Sequence, residues 1–244
     1  MKKKIIVIGD VMIDWYLHGE SSRISPEAPV PVLNPLSTTS NPGMAGNVVI
    51  NLQSLGLEVD IITNENNITK TRFVDNRSGQ MVIRLDENDK CERGKFDKID
   101  YSLYHAIIIS DYCKGFLTEE DIHFISRSHP LTFLDTKKQL GDWCNEVTFI
   151  KINEFEHRRN FEILPNYPNL LNKLIITKGN KGCEHKNITY KVPPVSVKDV
   201  SGAGDTFLAG LVKDYLSSMS IEQAIVFANK CATKVVQKRG VTSL

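Results

Sequence analysis

Apolar and polar positions alternate in two patterns along this chain. Short apolar runs bounded by polar or turn residues predict buried strands at Ile5–Gly9, Ala106–Ser110, Leu131–Asp135, Val147–Ile150 and Leu174–Thr177. Such near-continuous runs of Ile, Val and Leu are typical of parallel strands covered on both faces. Longer amphipathic segments lie between them. Because strands alternate with helices, the pattern predicts a doubly wound α/β fold with a mostly parallel sheet.

Three of the predicted helices have a clear apolar face or a clear start. The segment Ala45–Leu55 brings Val48, Val49, Leu52 and Leu55 onto one side. Thr118 and Asp121 have the spacing of a capping box before a helix over Ile122–Ser128. Ser220 and Gln223 repeat that spacing before a helix that extends to about Lys238.

Two stretches interrupt this alternation, because no helix separates their extended segments. Val30–Leu33 follows a proline-rich turn, and Thr69–Asp75 and Gln80–Asp86 have the pattern of a hairpin with residues 76–79 at its tip. These segments predict a small antiparallel flap beside the main sheet; the alternative is an irregular edge of the main sheet. An exposed strand edge tends to acquire a partner strand, so a homodimer is expected.

Composition excludes several classes of protein. The chain has 244 residues, of which 41% are hydrophobic and 24% charged, and its formal net charge is +1. This size predicts a single domain over 1–244, and the composition excludes a disordered chain. A near-neutral chain lacks the basic field of a nucleic-acid binder, so no nucleic-acid partner is expected. No apolar run approaches the roughly 20 residues that span a bilayer, and the first apolar run is too short for a signal peptide.

The cysteines indicate the redox environment. There are five, an odd number, and they are widely spaced without a Cys-x-x-Cys pair. This arrangement argues against a disulfide framework or a zinc site, and it favours a cytoplasmic location.

The strongest candidate for chemistry is the run Asp199–Phe207, a glycine-rich turn followed by an apolar helical stretch. The small residues Gly202, Ala203 and Gly204 let the backbone approach an anion closely at the start of a helix. Asp205 follows them and can accept a proton from a hydroxyl group. A lone Gly-x-Gly would more often be an ordinary helix start, but here the whole nonapeptide matches a known signature.

This run resembles the ribokinase-like (PfkB) carbohydrate kinases, in which the Asp of the Gly-Ala-Gly-Asp motif is the general base. The segment Ser22–Val32 is similar to one branch in particular, the D-glycero-β-D-manno-heptose 7-phosphate kinases. Other segments similar to that branch are Gly9–Tyr16, Ile83–Asp86, Ser110–Gly115, Glu154–Glu156 and Phe227–Asn229. The resemblance covers nearly the whole chain.

The resemblance implies a ribokinase-like fold and an activity. The chain would use ATP and Mg²⁺ to phosphorylate the anomeric hydroxyl of the heptose 7-phosphate, giving the 1,7-bisphosphate. One alternative is a kinase for another sugar or sugar phosphate of the family. A second alternative is a relative that binds nucleotide and sugar without turnover, although the intact Asp205 argues against it.

The resemblance also assigns residues to the acceptor. Asp14 and Asn47 would bind sugar hydroxyls, with Gly43 beside them. The family usually has two adjacent glycines where this chain has Gly43 and Met44, so Met44 could narrow the pocket or change the sugar. A phosphorylated acceptor requires cations. Arg72 and Lys114 are the first candidates, and Lys70 is a further one.

On the nucleotide side, the resemblance assigns seven residues: Asn153, Glu156, Thr177, Lys178, Gly179, Gly182 and Asn229. Glu156 would organise Mg²⁺ through water. The family motif is Pro-Asn-x-x-Glu, and the alignment allows two registers here. We prefer Asn153-x-x-Glu156, with Ile152 in the proline position. The other register aligns Glu154-Phe155-Glu156 on the branch's Glu-Phe-Glu and puts Lys151 in the Asn position.

Two departures indicate a shortened form of the enzyme. After Leu57–Thr63 the family continues through another helix and strand, whereas here the chain leads almost directly to Thr69. The chain also ends at Leu244, so no nucleotidyltransferase domain is expected. We expect lid segments at about 15–38 and 69–90.

Overall fold

The computed structural model describes residues 3–238 and Leu244. Residues 1–2 and 239–243 lie outside the described residues. The strands are β1 Lys4–Gly9, β2 Val11–Ile24, β3 Pro31–Met44, β4 Glu58–Ile62, β5 Ile68–Asp75, β6 Met81–Glu87, β7 Ala106–Asp111, β8 Thr132–Thr136, β9 Phe149–Asn153, β10 Leu174–Thr177, β11 Cys183–His185 and β12 Ile188–Tyr190. The helices are α1 Ala45–Ser54, α2 Glu119–Arg127, α3 Glu154–Asn160, α4 Pro168–Leu171, α5 Ala203–Ser218 and α6 Ile221–Val235.

The main sheet has eight strands in the order β12-β11-β10-β9-β8-β7-β1-β4. Its six strands from β10 to β4 are parallel, and β11 and β12 add an antiparallel edge. All five predicted strands belong to it. The predicted doubly wound α/β fold is therefore confirmed.

Each face of the main sheet has its own apolar core. One core packs α1, α5 and α6 against Ile5, Val7, Ile108 and Phe133. The other packs α2 against Ile6, Ile8, Ile107 and Leu134 on the opposite face. Adjacent side chains of β1 thus enter opposite cores, because side chains alternate along a strand. Burial on both faces explains the continuous apolar runs.

The capping signals are largely confirmed. Thr118 caps α2 in a reciprocal box with Asp121, and Ser220 accepts a hydrogen bond from the backbone N–H of Gln223 at the start of α6. Helix α6 ends at Val235, three residues before the predicted end.

The predicted flap is a second sheet of four strands in the order β3-β2-β5-β6. Its hairpin β5–β6 is antiparallel as predicted, but β2 and β5 pair in parallel, so the sheet is mixed. The reason is that the chain returns from β3 through α1 and β4, and then enters β5 in the same direction as β2. The strands β2 and β3 have 14 residues each, more than the pattern predicted.

Candidate active site

The glycine-rich turn leads directly into α5 and places Asp205 in its first turn. Gly202 has φ 77°, a left-handed conformation that glycine adopts without steric cost. The first N–H groups of a helix lack partners within it, and the helix dipole adds positive potential there. The Gly202–Gly204 segment can therefore hold an anion such as a phosphoryl group.

The Asp205 carboxylate is buried, and both its oxygens accept hydrogen bonds. The hydroxyl of Tyr112 donates to Oδ1 at 2.6 Å, and the side-chain amide of Asn47 donates to Oδ2 at 2.8 Å. Burial raises the pKa of Asp205, while these bonds and the nearby Lys151 ammonium oppose the rise. A carboxylate with a raised pKa is suited to general base catalysis.

Asn47 joins α1 to the start of α5. Besides its bond to Asp205, its Oδ1 accepts a hydrogen bond from Asn51 at 3.1 Å, and Asn51 accepts one from the Thr206 hydroxyl at 3.2 Å. This network orients the Asp205 carboxylate. The sugar contact expected of Asn47 stays a prediction, because its amide already has partners within the protein.

Asp14, Gly43 and Arg72 lie together on the second sheet. Asp14 is buried on β2 and forms an ion pair with Arg72 on β5. A methyl group on Gly43 would lie 2.7 Å from Oδ2 of Asp14, so glycine leaves the space that this carboxylate occupies. The Arg72 guanidinium also lies 5.1 Å from the centre of the Tyr16 ring, a cation–π contact.

Lys70 lies beside this ion pair, and Lys114 lies near Lys70. Lys114, a predicted phosphate ligand, is paired with Asp89 at 2.5 Å. Lys70 on β5 lies directly opposite Asp14 on β2. Lys70 takes part in none of the salt bridges found among residues 3–238. Burial lowers the pKa of Lys70, and the charge of Lys114 lowers it further. An anionic ligand beside Lys70 would therefore offset both the burial of its ammonium group and the repulsion from Lys114.

Met44 follows Gly43 at the start of α1, where the resemblance leads us to expect a second glycine. Its backbone has φ 57° and ψ −131°, which favours glycine, and its side chain is buried with Met12 and Ile68. Tyr112 packs against this cluster. Met44 therefore supports the residue that binds Asp205, at a cost in backbone strain of about 1–3 kcal/mol.

A cavity of about 870 Å³ opens beside the glycine-rich turn. It is lined by all four predicted catalytic residues and by six predicted nucleotide residues, Asn153, Thr177, Lys178, Gly179, Gly182 and Asn229. Apolar side chains form another part of its wall, including Val192, Val195, Val197, Phe207 and Val236. A cavity of this size with a few polar groups is typical of a small-molecule site.

The segment at the end of β9 forms a capping box at the start of α3. Asn153 caps α3 by accepting a hydrogen bond from the Glu156 N–H at 2.8 Å, and Glu156 Oε2 accepts one from the Asn153 N–H at 2.8 Å. The other oxygen of Glu156 accepts from Lys137. The geometry thus pairs Asn153 with Glu156, whereas Lys151 pairs with Asp135. The preferred register of the family motif stays a prediction.

Sequence reasoning did not assign Tyr112 or Lys151 to the site, although both line the cavity. Tyr112 contacts Asp205 across 93 residues of sequence, so no local motif joins them. Lys151 offered one signal, since a lysine in an apolar strand is unusual. Chemically, the site combines a helix start that can hold an anion, a buried carboxylate and an adjoining cavity, which suits the transfer of a phosphoryl group.

Comparison with known proteins gives consistent results. The pfkB family carbohydrate kinase pattern matches residues 58–244. Bifunctional protein HldE of Nitratiruptor is 33% identical over 294 aligned positions, and that of Helicobacter pylori strain HPAG1 is 32% identical over 302 positions. The alignments cover 100% and 98% of this chain, but only 63% and 64% of those relatives.

Solved structures show the same fold. Arabidopsis thaliana ribokinase, complexed with ribose and ATP, has a TM-score of 0.71 at 15% identity, with 98% of this chain and 94% of that chain covered. Escherichia coli phosphofructokinase-2 has a TM-score of 0.73 at 13% identity, with 99% and 94% covered. Since the family pattern covers most of the chain and the fold agrees, the chain belongs to the pfkB family of carbohydrate kinases.

Proposed function

We propose that this chain is an ATP-dependent sugar kinase that phosphorylates the anomeric hydroxyl of D-glycero-D-manno-heptose 7-phosphate to the 1,7-bisphosphate. The observation that carries the proposal is the buried Asp205 carboxylate, which lines the nucleotide-sized cavity at the start of α5. The specific acceptor rests on the resemblance of Ser22–Val32 to the heptose kinases.

The chemistry follows from the positions of these groups. ATP occupies the cavity with its γ-phosphate at the Gly202–Gly204 turn. Asp205 takes the proton of the acceptor hydroxyl as that oxygen bonds to the γ-phosphorus and the bond to the β-phosphate oxygen breaks. The helix start stabilises the transferred charge. Such transfer depends mainly on positioning and electrostatics, so it needs few side chains.

Mg²⁺ fits this site through its water ligands. Among the described residues no group of three His, Cys, Asp or Glu side chains is arranged to hold a metal directly. Mg²⁺ in kinases usually keeps several waters and binds substrate phosphates. Each Glu156 oxygen has a further lone pair for such a water, and the buried Oδ1 of Asp135 has no hydrogen-bond partner in the described part of the chain. The ion would offset the charge of the ATP phosphates.

The acceptor would lie against the charged face of the second sheet, which we define as Asp14, Tyr16, Lys70, Arg72 and Arg84. Their register places them on one side of β2, β5 and β6. A phosphate dianion is costly to desolvate without cations. Lys70 and Arg72 supply cations on this face, while Arg84 on the edge strand β6 is paired with Asp86, so the face supports a phosphorylated acceptor. We propose that segments 15–38 and 69–90 form a lid over it.

The decisive experiment measures ADP release by the purified chain with a panel of acceptors. The panel contains the heptose 7-phosphate, the unphosphorylated heptose, ribose and fructose 6-phosphate. We expect the highest kcat/KM for the heptose 7-phosphate. Equal kcat/KM for the phosphorylated and free heptose would remove the sugar-phosphate proposal. A preference for another sugar would support the second candidate, which the buried Met44 favours. ATP binding without turnover on any acceptor would indicate a binding protein.

A further inference from the structure

Lys151 is a buried lysine that the proposed chemistry does not yet use. It is 4% exposed on β9, a strand buried at its centre. Alternation along β9 places Lys151 on the same face as Phe149, which packs against the core beneath α5. A lysine occupies this position in the place of an apolar side chain, and burying an ammonium group is costly unless it is paired.

The partner of Lys151 is Asp135 on the neighbouring strand β8. The ammonium donates to Oδ2 of Asp135 at 2.7 Å, and Asp135 is 1% exposed. The other Asp135 oxygen is buried without a partner among the described residues. The pair is therefore neutral but incompletely bonded. A purely structural pair would be expected to satisfy both carboxylate oxygens, so this one leaves room for further contacts.

The ammonium of Lys151 lies against the glycine-rich turn. A methyl group on Gly204 would lie 2.9 Å from Nζ of Lys151, and Lys151 lines the cavity beside Gly204 and Asp205. Any larger residue at 204 would displace the ammonium. The lysine thus lies where the turn would hold the transferred phosphoryl group, and its positive charge also helps to keep the nearby Asp205 ionised.

We propose that Lys151 is a further catalytic residue, whose ammonium contacts the γ-phosphoryl group of ATP at the Gly202–Gly204 turn while Asp135 holds it in place. This inference rests on the proposed kinase function. The contact strengthens as negative charge develops on the transferred group and on the oxygen it leaves. The Lys151 ammonium would thus act like the cationic groups that stabilise the transition state of phosphoryl transfer in other enzymes.

The test uses two variants, because Lys151→Met alone would leave Asp135 buried and unpaired. The double variant Lys151→Met with Asp135→Asn removes both charges together. Lys151→Gln removes the cation but keeps a hydrogen-bond donor for Asp135. The matched control is Lys4→Met, which removes a lysine from another Lys–Asp pair at the β1–β4 edge of the sheet, where Lys4 and Asp60 are 2.9 Å apart. Thermal unfolding identifies the variants that fold.

We expect folded Lys151→Gln, in which Asp135 stays intact, to lose about a hundredfold or more in kcat, the scale for removing one charge-stabilising donor. The double variant should lose at least as much. We also expect about tenfold weaker binding of the ATP analogue AMP-PNP, with ADP binding unchanged, because only AMP-PNP carries a group in the γ position. Lys4→Met should keep wild-type values for both. A folded variant with near-wild-type kcat, or with equal losses in AMP-PNP and ADP binding, would overturn the proposal. If the wild type phosphorylates no sugar, the proposed function fails, and the AMP-PNP to ADP contrast still tests Lys151.

Discussion

A single carboxylate, Asp205, illustrates how this chain keeps a buried charge available. Desolvation favours the neutral acid, whereas the Tyr112 hydroxyl and the Asn47 amide donate to the charged form. The pKa of Asp205 is raised on balance. The proposed base is thus easier to protonate than an exposed aspartate, yet Tyr112 and Asn47 hold it in one orientation.

Replacing Asp205 by Asn tests the role of the base. Asp205→Asn keeps the size of the side chain and the bond from Asn47, so we expect the fold and ATP binding to persist. Turnover should fall at least about a hundredfold, the scale of general base catalysis. Steady-state ADP release and nucleotide titration measure the two effects. Asp214→Asn on the same helix is the matched control and should keep wild-type turnover; similar turnover in both variants would contradict the assignment.

Removing the Tyr112 hydroxyl tests the environment of the base. In the proposed mechanism activity requires ionised Asp205, so we expect it to be lost as the pH falls through the pKa of this group. Tyr112→Phe removes a donor to the carboxylate, which raises the pKa of Asp205 further. We expect the acid limb of kcat/KM to move to higher pH, with a smaller loss at the pH optimum. A pH profile of both proteins measures the shift. An unchanged limb would show that Tyr112 has only a packing role.

The contrast between Asp205 and Tyr112 shows which site residues can be predicted from the sequence. The glycine-rich turn, the base and the helix start are consecutive in sequence, so their geometry is local. Tyr112 reaches the same site from the residue after β7 and Lys151 from the centre of β9, and only the order of the strands brings them there. Their roles depend on tertiary packing, which local spacing does not encode.

At the scale of elements, the second sheet has two chemically different faces. The charged face carries Lys70 and Arg72, while Trp15, Ile83 and Leu85 lie on the other side, which we call the outer face. Alternation along β5 and β6 made the hairpin predictable. The pairing of β2 with β5 was not predictable in the same way, because it depends on the path of the intervening chain through α1 and β4.

Lys70 allows a sharper test of phosphate recognition than the cations first expected. Arg72 and Lys114 already have carboxylate partners, Asp14 and Asp89. We expect Lys70→Met to raise KM for the phosphorylated acceptor about ten- to a hundredfold, the value of one charge-assisted contact, and to leave KM for ATP unchanged.

The matched control for Lys70 is Arg84→Met, which removes a cation from the same face that is already paired with Asp86 at 2.8 Å. It should change KM little. Initial-rate kinetics with varied acceptor and varied ATP separate the two substrates. A rise in KM for ATP after the Lys70 change would instead place this lysine on the nucleotide side.

At the scale of the whole molecule, the candidate site lies between two units of structure. The main sheet and its helices supply the cavity, the helix start and the lysines, and the second sheet supplies the charged face. Tyr112 connects them, since it lines the cavity and packs against Met12, Met44 and Ile68. Among the described residues no helix is long and apolar enough to cross a membrane.

The outer face of the second sheet predicts a homodimer, because large apolar side chains remain exposed there. Ile83 is 59% exposed and Leu85 47% exposed, with Trp15 nearby on β2. Exposed apolar patches of this kind mark interaction surfaces, and two copies of this face could pack against each other.

We expect light scattering to show a dimer at micromolar concentration. The double variant Ile83→Glu with Leu85→Glu should be monomeric and still bind ATP, because these residues lie outside the cavity. Arg84→Glu, on the charged face of the same strand, is the matched control and should remain dimeric. A wild-type chain that is strictly monomeric with and without substrate would rule the dimer out.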